Sequence, residues 1–397
     1  MVIMKNEQMS KYYIHTTLWN IISMVISGSM AQTFLLEYGL SEEMVTRFFS
    51  IMQLIQIFTI LMFSKRSDDL KSIVKTLVKS HLLDVPLCLL FVCLCFVRME
   101  NVSLFFTLLM TAGVFFSVSV GIHNVLAYKL PYQIIDMEYY GKLLAVSGAL
   151  IGIFNVLFTI FSQRLQIELG YMTAMKYITS IVLILLVIFL ATTGSMKEKM
   201  TTAYIEKREH INLLKYRPFI ALIIPNITRG FCLGMVTMVI TIGYFTNLID
   251  GVFANYIIII TNVMQIGASF AFSKISMRVS EKYVIIISSI VVAISMTLLT
   301  MGDTSLFLCV YTILYFFIII LNNAVPLSVT KIVDYKVAGQ YSAGRMLLNT
   351  FGTSLAGFVC ISMFKTIGVV PTLAIAGAMQ MVSGVGYYWV LKKKALE

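Results

Sequence analysis

The amino-acid sequence predicts an all-α membrane protein that crosses the bilayer with twelve transmembrane helices. Apolar residues make up 59% of the chain and charged residues only 12%, whereas a soluble domain has about half and about a quarter, respectively. The mean hydropathy is +0.89, and a soluble chain of 397 residues cannot bury so much apolar surface. Apolar runs of about 20 residues, the length that crosses a bilayer as a helix, recur along the whole sequence.

The predicted spans follow one another with short loops between them. Their approximate bounds are 14–36, 44–63, 73–97, 104–130, 139–163, 171–194, 218–244, 250–272, 282–301, 305–327, 336–364 and 368–391. These runs are about twice as long as the strands of a membrane β-barrel, and they lack the apolar–polar alternation of such strands. The one long connection, 195–217, is predicted to be a cytoplasmic linker between an N-terminal six-helix bundle (1–194) and a C-terminal six-helix bundle (218–397).

The distribution of Lys and Arg predicts the orientation of the chain. With both termini and the 195–217 linker in the cytoplasm, the cytoplasmic segments hold 22 of the 30 basic residues and the outer segments hold four. Basic residues in short loops stay on the cytoplasmic side. We therefore expect a multi-pass protein of the plasma membrane (the inner membrane of a two-membrane cell) with cytoplasmic termini. The net charge of +11 lies in these loops, so we expect the lipid bilayer, and no nucleic acid, as a partner.

Polar residues recur at equivalent positions of the two halves. At an offset of 209, Gln53 and Gln56 match Asn262 and Gln265, and a Phe-Ser-Lys tripeptide follows in both halves. Further matches at an offset of 198 are Asn124 with Asn322, Asp136 with Asp334 and Gly141 with Gly339. Two parallel repeats of six helices are the arrangement of one large class of transporters.

In its span count, six-plus-six division and basic central loop, the chain resembles the major facilitator superfamily of transporters over essentially its whole length. The loop Ser64–Lys71 keeps one acid and the basic character of that family's loop motif, but neither of its glycines. The stretch Val333–Lys336, followed by Gly344, is similar to the glycoside–pentoside–hexuronide cation symporters. The first resemblance implies two six-helix bundles that rock around a binding site at the membrane midplane. The second implies a sugar-like substrate.

Two charged residues lie near the middle of predicted spans, Asp84 in the third and Arg229 in the seventh. Charges at this depth normally face the protein interior or water, and Pro86 and Pro225 lie close to them. We expect Arg229 to bind an anionic or polar group of a substrate; a structural pair with an acid or a helix end is the alternative. Asp84 is a candidate coupling carboxylate, and a loose pair with Lys79 is its alternative.

His123, in the fourth span, is a candidate proton carrier, because histidine titrates near neutral pH. A simple interhelical hydrogen bond is the competing interpretation. Trp19 is predicted to supply an aromatic stacking face or to anchor its helix at the membrane interface. Arg345 is expected to pair with Asp334.

Amide side chains form the rest of the predicted site. Gln53, Gln56, Asn262 and Gln265 are expected to face one central cavity because they recur at one spacing in both halves. Amides also hold membrane helices together, which is the competing interpretation. Asn20, Asn226 and Asn322 complete the candidate substrate-binding residues.

The sequence contains neither a Gly-rich phosphate-binding loop nor a cluster of metal-ligating residues, and its six cysteines lie inside apolar runs. We therefore expect no catalytic residues, no metal and no cofactor. We expect a monomeric secondary active transporter that moves a small polar solute, sugar-like or anionic, by alternating access with a proton or sodium ion. One alternative is an exporter of drugs, peptides or other amphipathic compounds. Alternatives of another class are a non-transporting membrane sensor and a membrane-embedded enzyme.

Overall fold

The computed structural model describes residues 2–64, 70–97, 101–127, 130–134, 140–198, 215–276, 278–332 and 338–394. The regular secondary structure of these segments is helical, without strands. The α-helices are α1 (Val2–Ile26), α2 (Ser29–Glu37), α3 (Glu42–Ser64), α4 (Ile73–His81), α5 (Val85–Phe96), α6 (Val102–Ala127), α7 (Leu130–Ile134), α8 (Tyr140–Leu169), α9 (Tyr171–Gly194), α10 (Arg217–Ala221), α11 (Ile223–Thr237), α12 (Val239–Phe245), α13 (Gly251–Ile275), α14 (Glu281–Leu298), α15 (Thr304–Ile332), α16 (Ala338–Ile367) and α17 (Val369–Lys394). A 3-10 turn, Leu82–Asp84, joins α4 to α5.

The helices have the lengths and apolar character that a membrane requires. Within the segments described, eleven spans are long and apolar enough to cross a bilayer, or up to twelve if the bent pair α11 and α12 is one span. The pair is bent by 56° next to Thr237, whose hydroxyl donates to the carbonyl of Gly234 at 2.8 Å. A hydroxyl that bonds back to the preceding turn often bends a helix. The predicted fold class is therefore confirmed.

The chain forms two compact units. The first consists of Met1–Ala203 with Gly251–Asn262, and the second of Tyr204–Asp250 with Val263–Glu397. The first unit therefore contains α1 to α9 and the first half of α13. The domain boundaries predicted at 194/195 and 217/218 stay predictions.

In the first unit an apolar core joins α1, α4, α6, α7 and α8. It includes the buried side chains of Tyr12, Leu77, Leu126, Leu130 and Leu143. Large side chains such as Phe58 and Met62 are exposed on the outer face of α3, where lipid covers a membrane helix. Because lipid tails are as apolar as these side chains, close packing rather than the hydrophobic effect holds such helices together.

In the second unit α11 and α16 pack with their backbones in contact. A Cβ atom added at Gly230 would lie 2.0 Å from the carbonyl oxygen of Asn349, and one at Gly352 would lie 2.1 Å from that of Ile227. Thr353 on α16 donates to the carbonyl of Gly230 at 3.0 Å. Small residues that let two backbones approach are a common means of helix association in membranes. This contact fixes α11, and therefore Arg229, within the second unit.

Candidate functional site

A helix break in the third span places Asp84 inside the first unit. Pro86 lies at the start of α5, where its ring would clash with the carbonyl four residues earlier, that of Leu82, in a continuous helix. The chain instead forms the 3-10 turn Leu82–Asp84. Side chains three residues apart eclipse one another in such a turn. His81, at the end of α4, and Asp84 therefore point to the same side.

Asp84, His81 and His123 form a continuous hydrogen-bonded chain. Asp84 Oδ2 lies 2.6 Å from His81 Nδ1, and His81 Nε2 lies 2.9 Å from His123 Nδ1. Ser119 Oγ lies 3.2 Å from His81 Nδ1. The side chains of Asp84 and His81 are 0% exposed and that of His123 is 7% exposed. The second oxygen of the carboxyl group, Asp84 Oδ1, is buried without a hydrogen-bond partner.

The structure corrects the alternative interpretation of Asp84, a loose pair with Lys79. Lys79, the loose partner considered from the sequence, is exposed on α4, whereas Asp84 is buried and bonds to His81. The lysine lies on another face of the helix because five residues amount to about one and a half turns. The structure does bring Asp84 and His123, the two candidate coupling residues, into one cluster, in which His81 connects them.

Aromatic rings cover this chain. Trp19 on α1 lies with its ring centroid 4.4 Å from His81 and 4.7 Å from His123. His15, one turn earlier on α1, stacks on His123 at 5.8 Å and lies 2.8 Å from the hydroxyl of Thr193 through its Nδ1. Trp19 therefore packs against both histidines inside the first unit, and its two predicted roles stay predictions.

A cavity of about 260 Å³ lies beside His123 in the first unit. Helix α1 contributes one face of it, because residues three and four apart share a side of a helix. The polar and aromatic lining residues are Tyr12, His15, Thr16, Trp19, Asn20, His123 and Ser147. The predicted substrate-binding residue Asn20 thus lies in the same cavity as the predicted proton carrier His123.

The histidine cluster is not arranged as a metal centre. Among the described residues there is no group of three His, Cys, Asp or Glu side chains that could hold a metal ion. Instead, the ring nitrogens of His81 are directed at Asp84 and His123. The arrangement can hold protons between its members and can exchange them with the cavity through His123.

Arg229 is the centre of a polar cluster in the second unit. It is 4% exposed, its Nη2 donates to Asn322 Oδ1 at 2.6 Å, and its Nε is buried without a partner. Tyr387 donates to Asn226 Oδ1 at 2.7 Å nearby. In the part of the chain that the structure covers, no carboxylate forms an ion pair with Arg229. Three predicted site residues, Asn226, Arg229 and Asn322, are therefore brought together.

The four amides that recur in both halves, Gln53, Gln56, Asn262 and Gln265, differ in how deeply they are buried. Asn262, in the first unit, is buried and accepts from Asn155 Nδ2 at 3.2 Å. Gln53 and Gln56 are half-buried on α3, and Gln265 is exposed. The expectation that these four side chains face one central cavity stays a prediction. Asp334, the expected partner of Arg345, lies outside the described residues, as do Asp136 and the 199–214 part of the linker.

Sequence reasoning did not select His81 and His15. The available signal for His81 was its position three residues before an acid in a predicted span and five residues before a proline, which is typical of a local pair in a broken helix. His15 offered a weaker signal, one turn before Trp19 on α1. Neither position shows in the sequence that α1, α4 and α6 pack together, so their meeting at His123 could not be read there.

No protein-family model matches the chain, and no curated protein matches it. Solved structures do match. A D-xylose–proton symporter matches with a TM-score of 0.72 and 13% identity, over 97% of this chain and 96% of that one. The nucleoside transporter NupG matches with a TM-score of 0.70 and 12% identity, over 98% and 99%.

A bacterial homologue of the iron transporter ferroportin, in its inward-facing state, matches with a TM-score of 0.72 and 12% identity, over 98% of this chain and 99% of that one. Two of these neighbours are transporters, of D-xylose and of nucleosides, and the third is a homologue of an iron transporter. The chain therefore has the major facilitator fold, and the resemblance noted in the sequence is confirmed at the level of the fold.

Proposed function

We propose that this protein is a secondary active transporter that moves a small polar solute across the membrane together with protons. The observation that carries the proposal is the buried chain Asp84–His81–His123, which ends at a cavity whose largely apolar lining includes a few hydroxyl, amide and imidazole groups. Ionisable side chains inside a membrane protein are expensive to bury and typically mark ion or substrate pathways. The fold shared with sugar and nucleoside transporters supports transport by this chain.

The proton is favoured over sodium as the coupling ion. Sodium sites in transporters are built from oxygen atoms, including carbonyls of unwound helices. The cluster in the first unit presents imidazole nitrogens instead, and a single carboxyl group whose Oδ2 already bonds to His81. A neutral imidazole has one nitrogen that donates and one that accepts, which suits it to pass a proton from one neighbour to the next.

The size of the cavity favours a small solute. Its volume of about 260 Å³ lies below the range of about 300–1,000 Å³ that is usual for drug-sized ligands. The lining combines the apolar side chains of Leu130 and Ile151 with the polar side chains of Thr16, Asn20 and Ser147. A small solute with a few hydroxyl or amide groups fits this space better than a drug-sized compound, so the export of drugs or peptides is the less favoured alternative.

Arg229 is proposed to bind a polar or anionic group of the solute. A guanidinium keeps its charge at any physiological pH, so a buried one needs partners for all of its N–H groups. Arg229 has one side-chain acceptor, Asn322, and a buried Nε without a partner. An oxygen-rich group of a solute would complete this set.

The experiment that tests the proposal is a ligand screen followed by uptake. The purified protein is heated with a panel of monosaccharides, nucleosides, amino acids and carboxylates, and compounds that raise its melting temperature are then assayed for uptake into proteoliposomes. We expect at least one small polar compound to stabilise the protein and to accumulate when the outside is acidic. Stabilisation by amphipathic drugs alone would favour the exporter. Stabilisation without uptake in either direction would favour a sensor and contradict the proposal.

A further inference from the structure

We propose that Asp84, His81 and His123 form a proton relay, in which a proton that enters at His123 from the cavity neutralises Asp84, which lies two hydrogen bonds away. This inference deepens the proposed function, because it states how the same site takes up its coupling proton. It rests on the order of the hydrogen-bonded atoms: Asp84 Oδ2 to His81 Nδ1 at 2.6 Å, then His81 Nε2 to His123 Nδ1 at 2.9 Å.

The first arrangement of protons has a charged carboxylate. A neutral imidazole has one nitrogen that donates and one that accepts. If Asp84 is ionised, His81 Nδ1 carries a hydrogen and donates to Oδ2. His81 Nε2 then accepts from His123 Nδ1, which carries the second hydrogen. This leaves His123 Nε2, on the side of the ring away from His81, as an acceptor.

The second arrangement differs by one proton and needs no movement of heavy atoms. A proton from the cavity binds His123 Nε2. His123 releases the proton on its Nδ1 to His81 Nε2, and His81 releases the proton on its Nδ1 to Asp84 Oδ2. Both imidazoles end neutral, in the opposite tautomers, and the carboxyl group is now the donor to His81. The charge of the chain changes from minus one to zero because one proton has entered.

The burial of the cluster sets the entrance of this path. The side chains of Asp84 and His81 are 0% exposed, while His123 is 7% exposed and lines the cavity. A proton from the cavity therefore meets His123 first. Because His123 also lines the cavity, a solute bound there would contact the residue through which the proton enters.

The described groups packed around the chain do not offer a shorter route. His15 from α1 stacks on His123 and bonds to Thr193 of α9. Since Thr193 donates its own hydrogen to the carbonyl of Phe189 at 2.7 Å, its oxygen accepts the hydrogen of His15 Nδ1. The thiol of Cys88 on α5 lies near Asp84 and is buried. Ser119 on α6 bonds to His81 Nδ1, beside the carboxyl group rather than at the cavity.

The substitution His81→Gln interrupts the relay at its centre. A glutamine amide keeps a donor and an acceptor, but they are fixed on different atoms and cannot exchange roles as the two imidazole nitrogens do. His123→Gln interrupts the relay at the cavity end and serves if His81→Gln does not fold. Thr179→Val is the control, because it removes a buried hydrogen-bonding side chain of the same unit, on α9, that belongs neither to the chain nor to the cavity lining.

The experiment is infrared difference spectroscopy of the purified protein in nanodiscs without solute, after a jump to acidic pH. We expect the wild-type protein to develop the carbonyl stretch of a protonated carboxylic acid, which Asp84→Asn removes. In His81→Gln we expect this band to develop at least about tenfold more slowly, because the loss of a relay step raises the free-energy barrier to proton transfer. The Thr179→Val control should retain the wild-type rate.

Two results would overturn the inference. One is an Asp84 band that develops at the wild-type rate in both His81→Gln and His123→Gln, since the proton would then arrive by another route. The other is the absence of an Asp84 band in the wild-type protein at any pH. Because no solute is present, these results are distinct from a failure of transport. A working relay without proton-driven uptake would contradict the proposed function and leave the relay intact.

Discussion

The contact between α11 and α16 makes a sharp prediction about Gly230→Ala. The new methyl group would lie 2.0 Å from the carbonyl oxygen of Asn349, whereas ordinary van der Waals contact begins at 3.4 Å. The two helices must therefore separate by about 1.4 Å, which also stretches the hydrogen bond from Thr353 to the Gly230 carbonyl. Overpacking costs about 1–3 kcal/mol and a lost hydrogen bond about 1 kcal/mol. We expect a total loss of about 2–4 kcal/mol.

Thermal unfolding of the purified variant in detergent measures this effect. A loss of that size lowers the melting temperature by roughly 4–16 °C, at about 2–4 °C per kcal/mol for a unit of this size. The matched control is Gly267→Ala, on the exposed side of α13, where an added Cβ atom meets nothing within 4 Å. It should melt at or slightly above the wild-type temperature, because alanine favours a helix over glycine. Equal melting of the two variants would refute the close backbone contact that positions Arg229.

Four further predictions concern function and topology. Arg229→Lys keeps the charge but loses the planar guanidinium group. Uptake should therefore fall roughly tenfold to a hundredfold, which corresponds to the loss of about one charged hydrogen bond, while expression stays at the wild-type level. Wild-type uptake in both Arg229→Lys and Arg229→Ala would exclude a binding role. A cysteine at position 205 of a Cys-depleted variant should resist an impermeant thiol reagent added outside, and its labelling there would reverse the predicted orientation. Pro86→Ala should permit a continuous helix through Leu82–Asp84 and remove the acid-induced Asp84 band; retention of that band would show that the break does not position Asp84. Asp84→Asn should abolish uphill accumulation but retain solute exchange, and accumulation at the wild-type level would exclude Asp84 from coupling.

The membrane spans could be predicted from the sequence because crossing a bilayer imposes a physical requirement on each segment, and this requirement is visible in neighbouring residues. A segment must be about 20 residues long and apolar to cross the membrane, and a charge such as Asp84 stands out against that background. Pro86 likewise indicated a break in the helix near Asp84, and the structure contains a 3-10 turn there. These properties depend on residues close together in the chain.

Which residues form the Asp84–His81–His123 chain could not be predicted without the tertiary structure. His81 and His123 are 42 residues apart, and their contact depends on how α4 and α6 are rotated about their axes. The repeated amides illustrate the same point, because Asn262 is buried while Gln265, three residues later on the same helix, is exposed. A shared spacing predicts that two residues lie on one side of a helix, but it does not predict what that side contacts.

The most direct test of proton-coupled transport is proton movement driven by the solute itself. Proteoliposomes with a pH-sensitive dye inside, and no imposed pH gradient, receive an inward gradient of a solute from the uptake screen. We predict that the wild-type protein acidifies the lumen as solute enters, that Asp84→Asn and His81→Gln abolish this change, and that Asp84→Asn still exchanges labelled solute. Solute uptake by the wild-type protein with no change of lumenal pH would contradict the account.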